Sequence, residues 1–154
     1  MKWAALIAWV LTAGGGFVML AIWLSRGGMR QRGGGARMIR PPLILGHFAL
    51  AATGLVLWII YIATDSEALG WVALAALAVV ALLGFTMFSI WYWQRQHTGV
   101  RSAAAAPVPG AAGTVADEMP AEQRFPVPVV ALHGLLAVAT VALVLLTDAG
   151  VGGS

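Results

Sequence analysis

Four runs of this chain are long and apolar enough to cross a lipid bilayer, which leaves few folds open. The first, residues 3–25, holds no Asp, Glu, Lys or Arg. As a helix rising about 1.5 Å per residue it covers roughly 33 Å, the thickness of a hydrocarbon core. The others cover about 42–64, 69–93 and 127–147. Inside lipid the backbone must satisfy its own hydrogen bonds, and runs of this length do so as helices. The sequence therefore predicts an all-α polytopic membrane protein, a single domain over 1–154 built as a bundle of four transmembrane helices. Charge agrees: only 10% of the 154 residues are Asp, Glu, Lys or Arg, against about a quarter in soluble domains. Cysteine is absent, which removes disulfides, thiolate metal sites and cysteine nucleophiles.

The connections set the orientation. Arg26, Arg30, Arg32, Arg37 and Arg40 crowd the first, and Arg95, Arg101 and Arg124 lie in the second; the opposite side carries Lys2 alone. The positive-inside rule then predicts a cytoplasmic-membrane protein with both connections in the cytoplasm and both termini outside. A cleaved signal peptide is the rival for the first run, but the run is too long and the stronger basic cluster follows it. The arginines suit anionic lipid at the cytoplasmic face rather than nucleic acid. Residues 94–124, rich in Ala, Pro and Gly with an acidic patch at Asp117, Glu118 and Glu122, predict a disordered cytoplasmic loop holding a solvated His97. Trp23, Trp71 and the run Trp91-Tyr92-Trp93 are expected in the headgroup belt. No catalytic triad, carboxylate pair, zinc signature or phosphate loop is present. The chain is not expected to be an enzyme on its own.

His47 and His133 are the only histidine or charged side chains inside the apolar runs. Their settings are alike: Pro42-Leu-Ile-Leu-Gly-His47-Phe-Ala-Leu-Ala-Ala and Pro128-Val-Val-Ala-Leu-His133-Gly-Leu-Leu-Ala-Val. Both runs cross in the same direction, so the two imidazoles lie at one depth, about 7–8 Å from the cytoplasmic ends. The match suggests an internal duplication pairing span one with three and two with four, clear only in the even spans. Leu50, Ala51 and Gly54 share a face with His47, as Leu136, Ala137 and Thr140 do with His133. These small neighbours leave a slot for a flat macrocycle or a neighbouring helix. Gly14-Gly15-Gly16 at the middle of the first run asks for the same kind of close approach.

Ionisable residues inside a membrane are functional candidates by default. One expectation is haem b held between His47 and His133 as metal ligands, with Gly54 and Thr140 beside it and Arg37 and Arg40 meeting its propionates. That makes the chain a redox or haem-sensing subunit beside a larger membrane complex, or a homo-oligomer. The alternative is a non-enzymatic accessory or scaffold subunit whose histidines bridge helices through a backbone carbonyl or through Thr53, Thr86, Ser89 or Thr140. Proton or metal-ion translocation is a third reading, weakened by the lack of carboxylates within the spans. Met19 and Met87 lie at similar depth and could replace one histidine, although methionine at apolar helix positions mostly fills gaps.

Two resemblances add to this. The runs Ala81-Leu-Leu-Gly-Phe-Thr-Met-Phe88, Arg124-Phe-Pro-Val-Pro-Val-Val130 and Leu132-His-Gly-Leu-Leu-Ala-Val138 resemble a family of small four-span membrane proteins of high-GC Gram-positive bacteria. That likeness implies the same four-span fold and supplies no mechanism. His47 and His133 also resemble the ligands of small cytochrome b-type proteins and of succinate dehydrogenase membrane anchors. A two-haem protein of that kind would need four such ligands, so two histidines imply at most one haem per chain.

Overall fold

The computed structural model describes residues 1–30, 39–104 and 121–151, with only the backbone of 98–104. Four helices form: α1 (Lys2–Ser25), α2 (Pro41–Thr64), α3 (Glu67–Ala104) and α4 (Val127–Asp148), with short 3-10 turns at Gly28–Arg30 and Ala121–Arg124. All four are long and apolar enough to cross a membrane, the build of a multi-pass membrane protein, and no strand occurs among the described residues. Arg37 falls outside the described residues, as does 105–120.

Prolines set two of the starts. α2 opens on Pro41-Pro42 and α4 has Pro128 in its first turn, where a missing N–H has no helical acceptor to lose. The residues before them, Arg40 and Pro126, are extended. Asp65 ends α2 in the left-handed conformation, with its N–H bonded to the Tyr61 carbonyl at 2.8 Å. Glycines at positive φ, Gly27 and Gly150, lie just beyond α1 and α4. One sequence expectation needs correction. The loop over 94–124 is helical up to Ala104, because Gln94-Arg95-Gln96-His97 and Arg101 through Ala104 are mostly good helix formers and the first proline comes at Pro107.

α1 packs along α4 and α2 along α3; lesser contacts of α1 with α2 and of α3 with α4 join the pairs. α2 and α4 thus face each other across a diagonal. Arg26, Arg40, Arg95 and Arg124 mark one basic end, and Lys2, Asp65 and Asp148 lie at the other. Near the termini the bundle is well packed. Ala5, Trp9, Trp58, Tyr61, Ala73, Leu77 and Val144 form one buried cluster. The Trp9 ring lies where Gly54 has no side chain, a Cβ there meeting Cζ2 at 3.0 Å, and stands 6.3 Å from Trp58 between centroids. The Trp58 indole donates to the Lys2 carbonyl, and Lys2 pairs with Asp65 across the bundle end.

Packing changes towards the basic end. Residues 10–22 of α1, 41–53 of α2, 81–90 of α3 and 127–139 of α4 include no buried side chain. Below them Trp23, Trp91, Ile39, Ala121 and Glu122 are buried again and close that end. Trp23 is therefore not exposed to lipid as a belt anchor would be. Its ring is wholly enclosed and stacks on the backbone of Gly28. Trp91 is likewise buried, whereas Trp71, Tyr92 and Trp93 are exposed as belt residues should be.

Candidate functional site: two imidazoles across a diagonal

The two histidines meet in the loosely packed half. The ring centroids of His47 on α2 and His133 on α4 are 6.5 Å apart, with their planes at 62°. Sequence gives them equal depth; the fold turns them towards each other. Each ring lies on a glycine of the helix packed alongside. A Cβ on Gly16 of α1 would stand 3.1 Å from Cε1 of His133, and one on Gly84 of α3 would stand 3.2 Å from Cε1 of His47. Any larger residue at either position would push the ring away, so close approach to bare backbone is what these glycines provide.

The polar partners are also matched. His133 Nδ1 is 2.9 Å from the backbone oxygen of Thr12, four residues before Gly16. His47 interacts with the backbone of Val80, four residues before Gly84, without closing a hydrogen bond through Nδ1, which is buried and unpartnered. A proton on His133 Nδ1 donates to Thr12 and leaves Nε2 as the lone-pair nitrogen, the arrangement usual for a metal-ligating histidine.

This matching exposes the rest of the duplication. At one constant offset α1 and α3 share Trp3 and Trp71, Ala5 and Ala73, Gly16-Phe17 and Gly84-Phe85, Met19 and Met87, Trp23 and Trp91. The helix pair α1–α4 is the counterpart of α3–α2. The bundle therefore has an approximate two-fold axis along its length, with the imidazoles on either side. Reading the odd spans for Gly-Phe-x-Met would have found Gly84, which the sequence analysis did not single out.

The other expected site residues are placed differently. Gly54 receives Trp9, and the buried Thr140 bonds the Leu136 carbonyl and lies 3.1 Å from the Thr12 hydroxyl. Both stand two helical turns from their histidines towards the termini, where they close the packed half. Arg40 is exposed at the start of α2. The hydroxyls of Thr53, Thr86 and Ser89 each donate to the carbonyl four residues back, and none bonds an imidazole. Met19 and Met87 lie half-buried on the glycine faces of α1 and α3, one turn nearer the basic end.

Two imidazoles across a diagonal are a two-donor set. A ring nitrogen binds a first-row metal at about 2.0–2.1 Å, and a centroid separation of 6.5 Å is on the scale at which two imidazoles could hold one ion between them. No group of three or more His, Cys, Asp or Glu that could hold a bare ion occurs among the described residues. Further equatorial donors would have to come with the metal. Comparison with protein-family models, curated proteins and solved structures finds no match to this chain.

Proposed function

We propose that this protein is a single-haem, b-type membrane protein in which His47 and His133 would hold the haem iron. The observation that carries the reading is their 6.5 Å separation across the diagonal, in the half of the bundle that lacks buried side chains. Bound there, haem iron would supply reversible one-electron chemistry. The chain's part is to hold and exclude: Gly16 and Gly84 seat the rings, the Thr12 carbonyl fixes the His133 tautomer, and the packed terminal half shields the site from that side. With both histidines holding the iron, the chain would serve electron transfer or haem sensing beside a larger membrane partner. In the cytoplasmic membrane the basic end faces inward by the positive-inside rule, in contact with anionic lipid, and both termini face outward.

A second reading has its own support. The His133–Thr12 contact joins α4 to α1, and the His47–Val80 contact joins α2 to α3. The same contacts would serve an accessory subunit whose histidines only hold helix pairs together. Absorption spectra of the purified full-length protein, expressed with haem in excess, separate the two. A Soret band that is lost in His47→Ala and in His133→Ala supports ligation. A colourless wild type with normally assembled alanine variants refutes it.

A further inference from the structure

At the basic end a groove of about 420 Å³ runs between α3 and α4, with Phe88, Trp91, Tyr92 and Arg95 on one wall and Val127 and Ala131 on the other. It opens to the outside of the bundle, where Phe88, Tyr92 and Val127 are about half exposed. The groove is graded along its length. Its aromatic wall comes first along α3, with Phe88 stacked on Tyr92, and Arg95 follows Phe88 by seven residues, about 10 Å nearer the end of the bundle. The guanidinium is held in place there: it donates to the Phe125 carbonyl at 3.3 Å and lies 5.0 Å over the Trp91 ring. The other half of the repeat closes the equivalent position. α1 stops at Ser25, and the backbone of Gly28 folds against the Trp23 ring. α3 instead runs on past Trp91 and lays Arg95 over it. On the facing helix, Ala131 stands where the repeat has the larger Leu45.

We propose that this groove binds one anionic phospholipid, with an acyl chain between the aromatic wall and Ala131 and the phosphate at Arg95. The proposal rests on the membrane orientation given above and turns a general contact with anionic lipid into a site; it does not depend on haem. Charge favours this occupant. Arg26, Arg40 and Arg95 are exposed at this end, whereas the described acid there, Glu122, is wholly buried with one oxygen accepting from the Ile39 N–H. The surface met by an approaching headgroup is therefore positive. Order along the groove favours it too, since apolar walls followed by a cation match a hydrocarbon chain followed by a phosphate. A guanidinium presents planar, paired donors suited to phosphate oxygens. Free phosphate would engage Arg95 alone and leave the apolar walls uncovered, so the lipid is the ligand that uses the whole groove.

The test titrates the full-length protein in detergent with dioleoylphosphatidylglycerol or dioleoylphosphatidylcholine and counts retained lipid by native mass spectrometry. Wild type should keep one phosphatidylglycerol, roughly tenfold more tightly than phosphatidylcholine. Arg95→Gln should lose that preference. Ala131→Trp fills the groove and should lose the retained lipid of either kind, with the helix content of wild type by circular dichroism. Arg26→Gln removes a charge at the same end outside the groove and should bind as wild type does. Excess inorganic phosphate should not displace the lipid. If Arg95→Gln and Arg26→Gln weaken phosphatidylglycerol equally, the arginines act only as a diffuse field; general contact with anionic lipid stands and the site is overturned. Lipid still retained by a folded Ala131→Trp, or displaced by phosphate, overturns it as well. If wild type shows no preference for phosphatidylglycerol, the general contact falls and the site with it.

Discussion

Gly14, Gly15 and Gly16 are neighbours on one helix, but an added methyl would meet different things at each. At Gly14 there is nothing within 4 Å; at Gly15 the Cβ of His133 stands at 3.6 Å, an ordinary contact; at Gly16 its Cε1 stands at 3.1 Å. Alanine in place of glycine favours a helix interior by about 0.8–1.0 kcal/mol, and that gain is shared by all three positions. Gly14→Ala should keep it whole and Gly15→Ala nearly so. Gly16→Ala must push the imidazole back by a few tenths of an ångström. Crowding a packed site costs about 1–3 kcal/mol, and stretching the 2.9 Å contact to the Thr12 carbonyl adds about 0.6 kcal/mol, the average for membrane hydrogen bonds. Gly16→Ala should therefore lie about 1–3 kcal/mol below Gly14→Ala, a factor of roughly ten or more in the unfolding equilibrium. Reversible unfolding in mixed detergent–dodecyl sulfate micelles, followed by tryptophan fluorescence, measures that difference. Gly84→Ala, at 3.2 Å from His47 Cε1, should behave in the same sense and less strongly, because His47 Nδ1 has no hydrogen bond to lose. Equal stabilities for Gly14→Ala and Gly16→Ala would mean that the ring does not rest on Gly16, and the diagonal pairing argued from that contact would fail.

Two further outcomes follow from the packed half. Gly54→Ala places its methyl 3.0 Å from Trp9 Cζ2 and 3.3 Å from Cη2, in a cluster that also holds Trp58, so it should lower stability by about 1–3 kcal/mol; a more stable variant in the same unfolding assay would refute the wedge. Lys2→Ala removes the Lys2–Asp65 pair, whose side chains are 32% and 73% exposed. It should cost no more than about 1 kcal/mol and less in high salt, and a large, salt-independent loss would contradict a surface pair.

The spans and the common depth of the histidines were legible because both depend only on counting residues along a helix. Which way a helix is turned was not. In a soluble bundle the polar face announces the outside, but lipid is as apolar as the interior, so exposed Phe85 and half-buried Met87 read alike in sequence. The partners of the imidazoles were hidden for a second reason. The hydrogen-bond partner of His133 is the backbone oxygen of Thr12, which no residue type advertises, and His47 Nδ1 has none. Gly54 and Thr140 were read as neighbours of the rings because they share a helix face with them. Seven residues is about 10 Å, however, and at that distance they contact Trp9 and Thr12 instead. The helical stretch 94–104 went unread because its neighbours to 124 are rich in Pro and Gly.

The two halves of the repeat are unequal in an informative way. Near the termini, equivalent positions differ in size: Trp9 answers to Leu77, Trp58 to Val144, Tyr61 to Thr147, Lys2 to Gly70. In these four pairs the large member comes from the first half, whereas Thr140 is larger than its counterpart Gly54, and Trp3 with Trp71 and Ala5 with Ala73 are equal. The unequal pairs suit packing around an approximate two-fold axis, since two equal large side chains would collide there. Around the imidazoles several positions are equal, His47 and His133, Gly16 and Gly84, Met19 and Met87, Trp23 and Trp91, while Gly15 answers to Leu83, Gly46 to Leu132 and Phe48 to Gly134. The histidines, glycines and methionines of this set lie in the stretch without buried side chains, while Trp23 and Trp91 are buried at its basic end. The equal pairs suit an occupant that presents the same chemistry in two opposite directions. A metal with two trans positions in a flat macrocycle is such an occupant. Equal glycines serve a structural pair of histidines as well, since each seats one ring against the neighbouring helix.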